Sequence, residues 1–159
     1  MSQFREDLEA AKPAERLVLQ LLQSNNPRYT FVDVSDDCSY YHKGDIKAIS
    51  KEYPVELFIE VKNDSRIADT KRVLCEEEVL IYETGEQRIG NMYNDCDFYC
   101  VVSESERCVY VFNFKKLQEI YKNFGEWKVI KHKEQESLCY LVNLGYCKRK
   151  GALIHKLNY

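Results

Sequence analysis

The spacing of apolar and polar residues divides the chain into helical and extended segments. Apolar residues at positions 4, 8, 11, 18 and 22 repeat at helical spacing, which predicts a helix over residues 3–24 that Pro13 either kinks or restarts. Strands are predicted at residues 29–35, 44–50, 55–62, 77–83, 97–103, 107–113, 126–132 and 138–144. Further helices are predicted at residues 64–77 and 114–124, with a closing helical turn within 148–157.

The order of these segments predicts the fold class. A helix, a run of strands, and then helix, strands and helix favour an α/β fold of the mixed α+β type, with a central mixed β-sheet flanked by helices. The chain has 159 residues, 45% of them hydrophobic and 31% charged, and contains no low-complexity tract, linker or internal repeat. This balance is typical of a globular protein, and we expect a single domain over residues 1–159.

The strand predicted at residues 55–62, VELFIEVK, carries charged residues within an apolar sequence. Alternate residues of a strand point to opposite faces, so Glu60 and Lys62 are expected to be neighbours on one face. The preceding residues KEYP suit a hairpin loop that pairs the first residue of this strand with Ser50. That register places Asp45 directly opposite Glu60, with their Cβ atoms roughly 4.5–5.5 Å apart.

Two carboxylates that face each other in a half-buried sheet repel, and burial adds to the cost. One acid could stay protonated, Lys62 or Lys47 could neutralise the pair, or a divalent cation could lie between the two acids. Two carboxylates and a backbone carbonyl are hard oxygen ligands of the kind that Mg²⁺ prefers. A lysine beside such a metal can position the attacking water or offset charge on a phosphate.

A surface interpretation competes with the metal site. Glu-x-Lys is common on solvated strand faces, and the chain repeats it at Glu126 and Lys128. Asp45 and Lys47 form a similar pair, so the charges could make up no more than a structural ion-pair patch. Three features favour the metal site: the acids interrupt apolar strands, no Asp lies at hairpin distance before Glu126, and an ordinary loop produces the register.

Glu15 occupies the apolar face of the predicted N-terminal helix. At 100° per residue, several apolar residues lie within about 60° of it: Leu8, Ala11, Val18, Leu19 and Leu22. A lone carboxylate on this face is costly, which leaves two interpretations open. Either Glu15 faces the metal site, or Pro13 begins a new helix and Glu15 favours the dipole at its N-terminus.

Together these residues resemble the PD-(D/E)xK nuclease superfamily, which has the restriction-endonuclease-like fold with an αβββαβ core. An Asp near the start of one strand, in GDIKA, is followed fifteen residues later by Glu-x-Lys in the next strand, LFIEVK. The glutamate of KPAERLVLQLL is similar to the one on the first helix of Holliday-junction resolvases and of phage or restriction nucleases. The resemblance covers residues 10–112, and Gly44 stands where the family motif has proline.

The resemblance implies a metal-dependent phosphodiesterase. Asp45, Glu60 and the carbonyl of Val61 would bind Mg²⁺, with Mn²⁺ as a substitute. Lys62 would position the water or stabilise the phosphate, and Glu15 would orient water or reach a second metal. The implied reaction is hydrolysis of nucleic-acid phosphodiester bonds by metal-activated water.

Nucleic acid, and DNA in particular, is the expected partner, although a formal charge of −3 gives no general attraction for it. Candidate contacts are assigned to residues near the motif: Tyr41, His42, Arg66, Lys71 and Arg72. Family nucleases that cut both strands often dimerise, so a homodimer is one expected arrangement. The competing function is a catalytically inactive module of the same fold that binds nucleic acid or a protein partner, and the acidic charge favours it.

The remaining composition favours the cytoplasm. No apolar run approaches the ~18 residues that a membrane helix needs, and the acidic N-terminus is unlike a signal peptide, so no membrane partner is expected. The seven cysteines form no CxxC pair and no cluster at zinc spacing, which indicates reduced, mostly buried thiols. Asn91 and Asn94 are polar candidates for the cleft, without a physical reason from the sequence for that placement.

Overall fold

The computed structural model describes the backbone of residues 3–159 and the side chains of residues 10–159. The apolar side chains at positions 4 and 8 of the predicted first helix therefore lie outside the described residues. A continuous helix, α1 (Gln3–Asn25), contains Pro13 and does not restart there. Because Glu15 lies in the middle of α1, the interpretation that it favours the dipole at a helix N-terminus is wrong.

Ten strands form two sheets in the described part of the chain. The strands are β1 (Tyr29–Asp33), β2 (Ile46–Ser50), β3 (Glu56–Asn63), β4 (Arg72–Ile81), β5 (Gln87–Ile89), β6 (Phe98–Ser103), β7 (Cys108–Asn113), β8 (Glu126–Lys131), β9 (Gln135–Asn143) and β10 (Leu153–Asn158). The central sheet has the order β1-β2-β3-β6-β7-β10, and the second sheet has the order β5-β4-β9-β8. Within the central sheet β3 and β6 run parallel and the other pairs antiparallel, so the predicted mixed sheet is confirmed.

Helices cover both faces of the central sheet. The remaining helices are α2 (Ile67–Thr70), α3 (Phe114–Phe124) and α4 (Leu144–Arg149), with short 3-10 helices at Cys38–Tyr40 and Asn91–Tyr93. On one face, α1 buries Ala14, Val18 and Leu22 against Ile59 and Val61 of β3. On the other face, a second apolar cluster joins the central sheet, the second sheet, α3 and α4: Phe58, Tyr99, Phe112, Val73, Val142, Leu117 and Cys147.

Two predicted helical segments are wrong. Residues 64–77 form only the four-residue α2, which ends where Lys71 adopts a left-handed φ of 54°, and then β4 begins. Val73 and Cys75 alternate into the core as β4 pairs along its length with β9, a strand more than fifty residues away in the chain. In the closing segment 148–157 only Lys148 and Arg149 are helical, as the end of α4, and residues 153–157 belong to β10, which pairs with β7.

The chain order helix, three strands, helix, strand is observed from α1 to β4. However, β4 belongs to the second sheet, and the strand that lies beside β3 in the central sheet is β6. The second sheet is therefore built from two insertions in the chain: β4 and β5 lie between β3 and β6, and β8 and β9 lie between β7 and β10. Six of the seven cysteines are buried, and Cys38 is exposed. Among the described residues, no helix is long and apolar enough to cross a membrane.

Candidate functional site

The β2–β3 hairpin has the predicted register. The hydrogen bond from Ser50 N to Val55 O, 3.0 Å long, closes the loop, and Ile46 pairs with Ile59. Asp45 lies one residue before β2, outside this ladder, and its N–H donates to Ile59 O at 2.9 Å. The hairpin therefore has the predicted register, but its pairing ends one step before Asp45 and Glu60.

Gly44 turns the chain into β2 and sets the position of Asp45. It adopts a φ of 130°, a conformation that L side chains rarely adopt and that the ring of proline forbids. A Cβ at this position would lie 2.7 Å from Ile59 O, closer than real Cβ contacts. Glycine is therefore required here both by φ and by the close approach of β3.

The Asp45 carboxylate is held against the end of β3. Its Oδ2 accepts the N–H of Val61 at 2.8 Å. Burial, with a further contribution from Glu60, raises the pKa of Asp45 to about 7. The N–H and C=O of one strand residue point to the same side, so the Val61 carbonyl also points towards Asp45.

Glu60 and Lys62 form an ion pair beside this carboxylate. Lys62 Nζ lies 3.0 Å from Glu60 Oε1, and Asn94 Nδ2 donates to Glu60 Oε2 at 3.4 Å. Glu60 is buried, whereas the Lys62 side chain is 45% exposed. The Glu60 carboxylate raises the pKa of Lys62, so the ammonium group stays charged at neutral pH.

Glu15 approaches the same place from α1. It is only 4% exposed, and its Oε2 accepts no hydrogen bond within the described residues. Lys12 Nζ forms an ion pair with this oxygen at 3.4 Å, while also donating to Ser35 and Asp36. Glu15 is therefore a buried carboxylate with unused acceptor capacity.

These side chains open onto a cleft of about 700 Å³ between α1 and the end of β3. The cleft brings together Glu15, Asp45, Val61 and Lys62, whereas Glu60 does not line it and is joined to it through the ion pair with Lys62. It also contains polar residues that sequence reasoning missed: Asn63, Ser65, Glu104 and Ser105. Glu104 accepts from Asn63 Nδ2 at 3.0 Å although the two residues are far apart in the chain, so no local sequence signal could have joined them.

The donor set fits a hard divalent cation of low protein coordination. Among the described residues, no three His, Cys, Asp or Glu side chains form a group that could hold a metal by themselves. Mg²⁺ is usually held by one or two carboxylates with water in the remaining positions. Asp45, Glu60 and the Val61 carbonyl match that smaller set in the kind of ligand atom.

The residues predicted to contact nucleic acid are spread over the surface. Tyr41 and His42 contact each other edge to face in the loop before Gly44, and neither lines the cleft. Lys71 and Arg72 pair with Glu106 and Glu126 instead of facing it. Arg66 lines a neighbouring cavity that shares Lys62 with the cleft.

Comparison with known proteins provides no argument about the function of this chain. No family model matches the chain, and no curated protein matches it. A solved structure of a bacterial homing endonuclease, I-Ssp6803I, is similar, with a TM-score of 0.47 and 14% sequence identity. The similarity covers 80% of this chain and 74% of the homing endonuclease chain. Function is therefore inferred from the geometry of the site alone.

Proposed function

We propose that this protein is a Mg²⁺-dependent nuclease of the PD-(D/E)xK type, which hydrolyses phosphodiester bonds of DNA. The observation that carries the proposal is that Asp45, Val61 and Lys62 line one open cleft, while Glu60 forms an ion pair with Lys62 and acts electrostatically on Asp45. Two carboxylates that are largely buried are stabilised by a nearby positive charge. A divalent cation supplies more positive charge than Lys62 alone.

Asp45, Glu60 and the Val61 carbonyl are the groups that would hold Mg²⁺. The bound ion would polarise the phosphate and lower the pKa of water in the cleft. The hydrogen bond from Val61 N–H fixes one carboxylate oxygen of Asp45, and Asn94 fixes one of Glu60. The protein thus orients both acids before a ligand arrives.

Lys62 acts as a charge and a hydrogen-bond donor, not as a base. Because Glu60 keeps it protonated, it cannot accept a proton from water near neutral pH. Its exposed ammonium group can instead contact a phosphate oxygen and stabilise the negative charge that builds up there. Glu15, which lines the cleft from α1, would orient the attacking water.

The proposal extends to the partner and the assembly. The substrate enters the cleft between α1 and the end of β3, and each domain of 159 residues carries one site. Cleavage of both strands of a duplex would use a homodimer with two such sites.

Calorimetric titration with Mn²⁺ in the absence of substrate tests the proposal. We expect saturable binding that Asp45→Asn weakens by about tenfold or more, since a ligand charge is lost at an unchanged shape. Glu126→Gln is the matched control, because it removes a carboxylate from the second Glu-x-Lys strand and should leave the affinity unchanged.

Binding that survives Asp45→Asn would contradict the proposed site. An absence of binding in the wild-type protein would overturn the metal enzyme and favour the alternative, an inactive module of this fold that binds nucleic acid or protein.

A further inference from the structure

A second cavity, of about 310 Å³, lies on the other side of the end of β3. It shares Lys62, Asn63 and Ser65 with the cleft, so the two spaces meet at the proposed catalytic lysine. The second sheet forms its far wall through β4, β8 and β9. None of the roles assigned above uses this cavity.

The lining is mostly polar, and Leu74, Val101 and Ile130 are its apolar members. Its floor carries a connected network: Asn91 Nδ2 donates to Tyr99 OH at 3.3 Å, Glu76 N–H donates to Asn91 Oδ1 at 3.3 Å, and Ser137 Oγ donates to Glu76 Oε2 at 3.0 Å. Polar groups oriented in this way can fix the position of a small organic ligand, and the volume lies at the lower end of the range of ligand sites.

The charges of the lining differ in exposure. Glu76 is partly buried, whereas the cations Lys62 and Arg66 are exposed at the lip, where Asp64 adds a second acid. An anionic floor repels phosphate but accepts N–H donors. A carboxylate can accept about four hydrogen bonds, so the bond from Ser137 leaves capacity for a ligand.

We propose that this cavity binds an unpaired base of the nucleic-acid substrate, with guanine preferred. The inference rests on the proposed nuclease function and deepens it, because it specifies a substrate with a single-stranded or extruded nucleotide next to the cleaved phosphate. The Watson–Crick edge of guanine presents two adjacent donors, N1–H and N2–H, to one carboxylate, whereas adenine presents an acceptor beside its amino group. A base within a duplex must leave its stack to expose this edge.

The connection between the cavity and the cleft defines the orientation of the bound nucleotide, with its base in the cavity and its phosphate towards the cleft. A base at Glu76 leaves its own phosphate near the cationic lip, where Lys62 belongs to both spaces. Lys62 would then contact the phosphate that joins this nucleotide to its neighbour. The cavity therefore acts as a specificity site for the same reaction.

Nucleotide binding in EDTA tests this cavity separately from the metal site. The probes are guanosine 5′-monophosphate, adenosine 5′-monophosphate and inorganic phosphate. The binding of each probe is detected by changes in the amide chemical shifts of the ¹⁵N-labelled protein. We expect guanosine 5′-monophosphate to bind about tenfold more tightly than adenosine 5′-monophosphate, with shifts at Ser137 and Ile130. Asp45→Asn should retain this binding, which separates the result from a failure of the nuclease proposal.

Glu76→Gln is the decisive variant, because glutamine can keep the hydrogen bond from Ser137 while replacing one acceptor by a donor. This substitution should weaken the binding of guanosine 5′-monophosphate about tenfold and abolish the preference for guanine. Glu78→Gln, two residues along β4 and outside the cavity, should change nothing. Ile130→Trp, which fills the cavity from an edge strand, should block the base even if Glu76→Gln fails to fold.

Equal affinity for all three probes, unaffected by Glu76→Gln and Ile130→Trp, would mean that only phosphate binds at the lip and would overturn the base site. An absence of shifts with every probe would overturn it as well.

Discussion

Two strands of this protein carry the same Glu-x-Lys sequence, and of the two lysines Lys62 lines the cleft beside Asp45 and Lys128 does not. In β3 the Lys62 ammonium lies 3.0 Å from Glu60, and in β8 the Lys128 ammonium lies 3.0 Å from Glu126. The two lysine side chains are equally exposed, at 45% and 46%. The glutamates differ, because the Glu60 side chain is 9% exposed and the Glu126 side chain is 55% exposed.

Neighbouring charges distinguish the two ion pairs. β3 lies inside the central sheet, where Asp45 adds a second carboxylate beside Glu60. β8 is an edge strand, and Glu126 gains a second cation, Arg72. The first pair has an excess of buried negative charge, and the second is balanced and solvated. For Glu126 and Lys128, the surface interpretation is therefore the correct one.

The largest expected effect is on catalysis. Lys62→Ala should lower Mn²⁺-dependent hydrolysis of end-labelled single-stranded DNA by about 10²–10⁴-fold, since it removes a charge next to the phosphate. Lys128→Ala removes the same type of ion pair from β8 and should leave the rate within about twofold. Initial rates at saturating substrate provide the comparison.

Equal losses in the two lysine variants would mean that the rate reflects surface charge and not a site at β3. If the wild-type protein hydrolyses neither single-stranded, duplex nor junction DNA, the enzyme proposal is contradicted.

A smaller effect is expected when the backbone that positions Asp45 is changed. Gly44→Ala should lower the free energy of unfolding by about 2–4 kcal/mol, because the added Cβ meets Ile59 O in a conformation of φ 130°. Gly85→Ala is the control, since Gly85 also has a positive φ, 66°, but open space around it. Gly85→Ala should lower the free energy of unfolding, measured by urea denaturation, by about 1 kcal/mol. A Gly44 variant as stable as the Gly85 variant would contradict the close approach.

The smallest expected effect is on the pH dependence of the free energy of unfolding, which tests the electrostatic difference between the two strands. The pKa of Asp45 is about 7 in the folded protein and about 3.9 in an unfolded chain, so the folded state holds the extra proton between these values. The free energy of unfolding of the metal-free protein therefore falls as the pH rises from 4 to 7. Asp45→Asn should remove this loss and be more stable by about 1–3 kcal/mol at pH 8, with no advantage at pH 4.

Glu126→Gln should show the opposite sign. Hydrogen bonds from Lys128 and Arg72 lower the pKa of Glu126, so its contribution to stability is present above the unfolded pKa and is lost as the pH falls. Urea denaturation in EDTA across pH 4–8 measures both variants. If Asp45→Asn is no more stable than the wild type at pH 8, the acids form a structural ion-pair patch.

Part of the candidate site could be predicted because its geometry is local. The four-residue loop KEYP sets the pairing of β2 with β3, and strand alternation then determines which side chains are neighbours. Glu15 was also identified, since helical periodicity places it among the buried residues Ala14 and Val18. By contrast, Asn94, Glu104 and the cavity around Glu76 reach the motif from distant segments, which no local pattern relates to it.

The sequence by itself determined the register of the hairpin, the burial of Glu15 and the amphipathic helix α3. These depend on contacts between residues close in the chain or on the period of a single element. Only the tertiary structure decided that residues 72–77 join a strand, that β6 lies beside β3, and that one Glu-x-Lys is buried while the other is solvated. Each of these depends on which distant strand supplies the partner, and a pattern that repeats at two places in the chain contains no information about its neighbours.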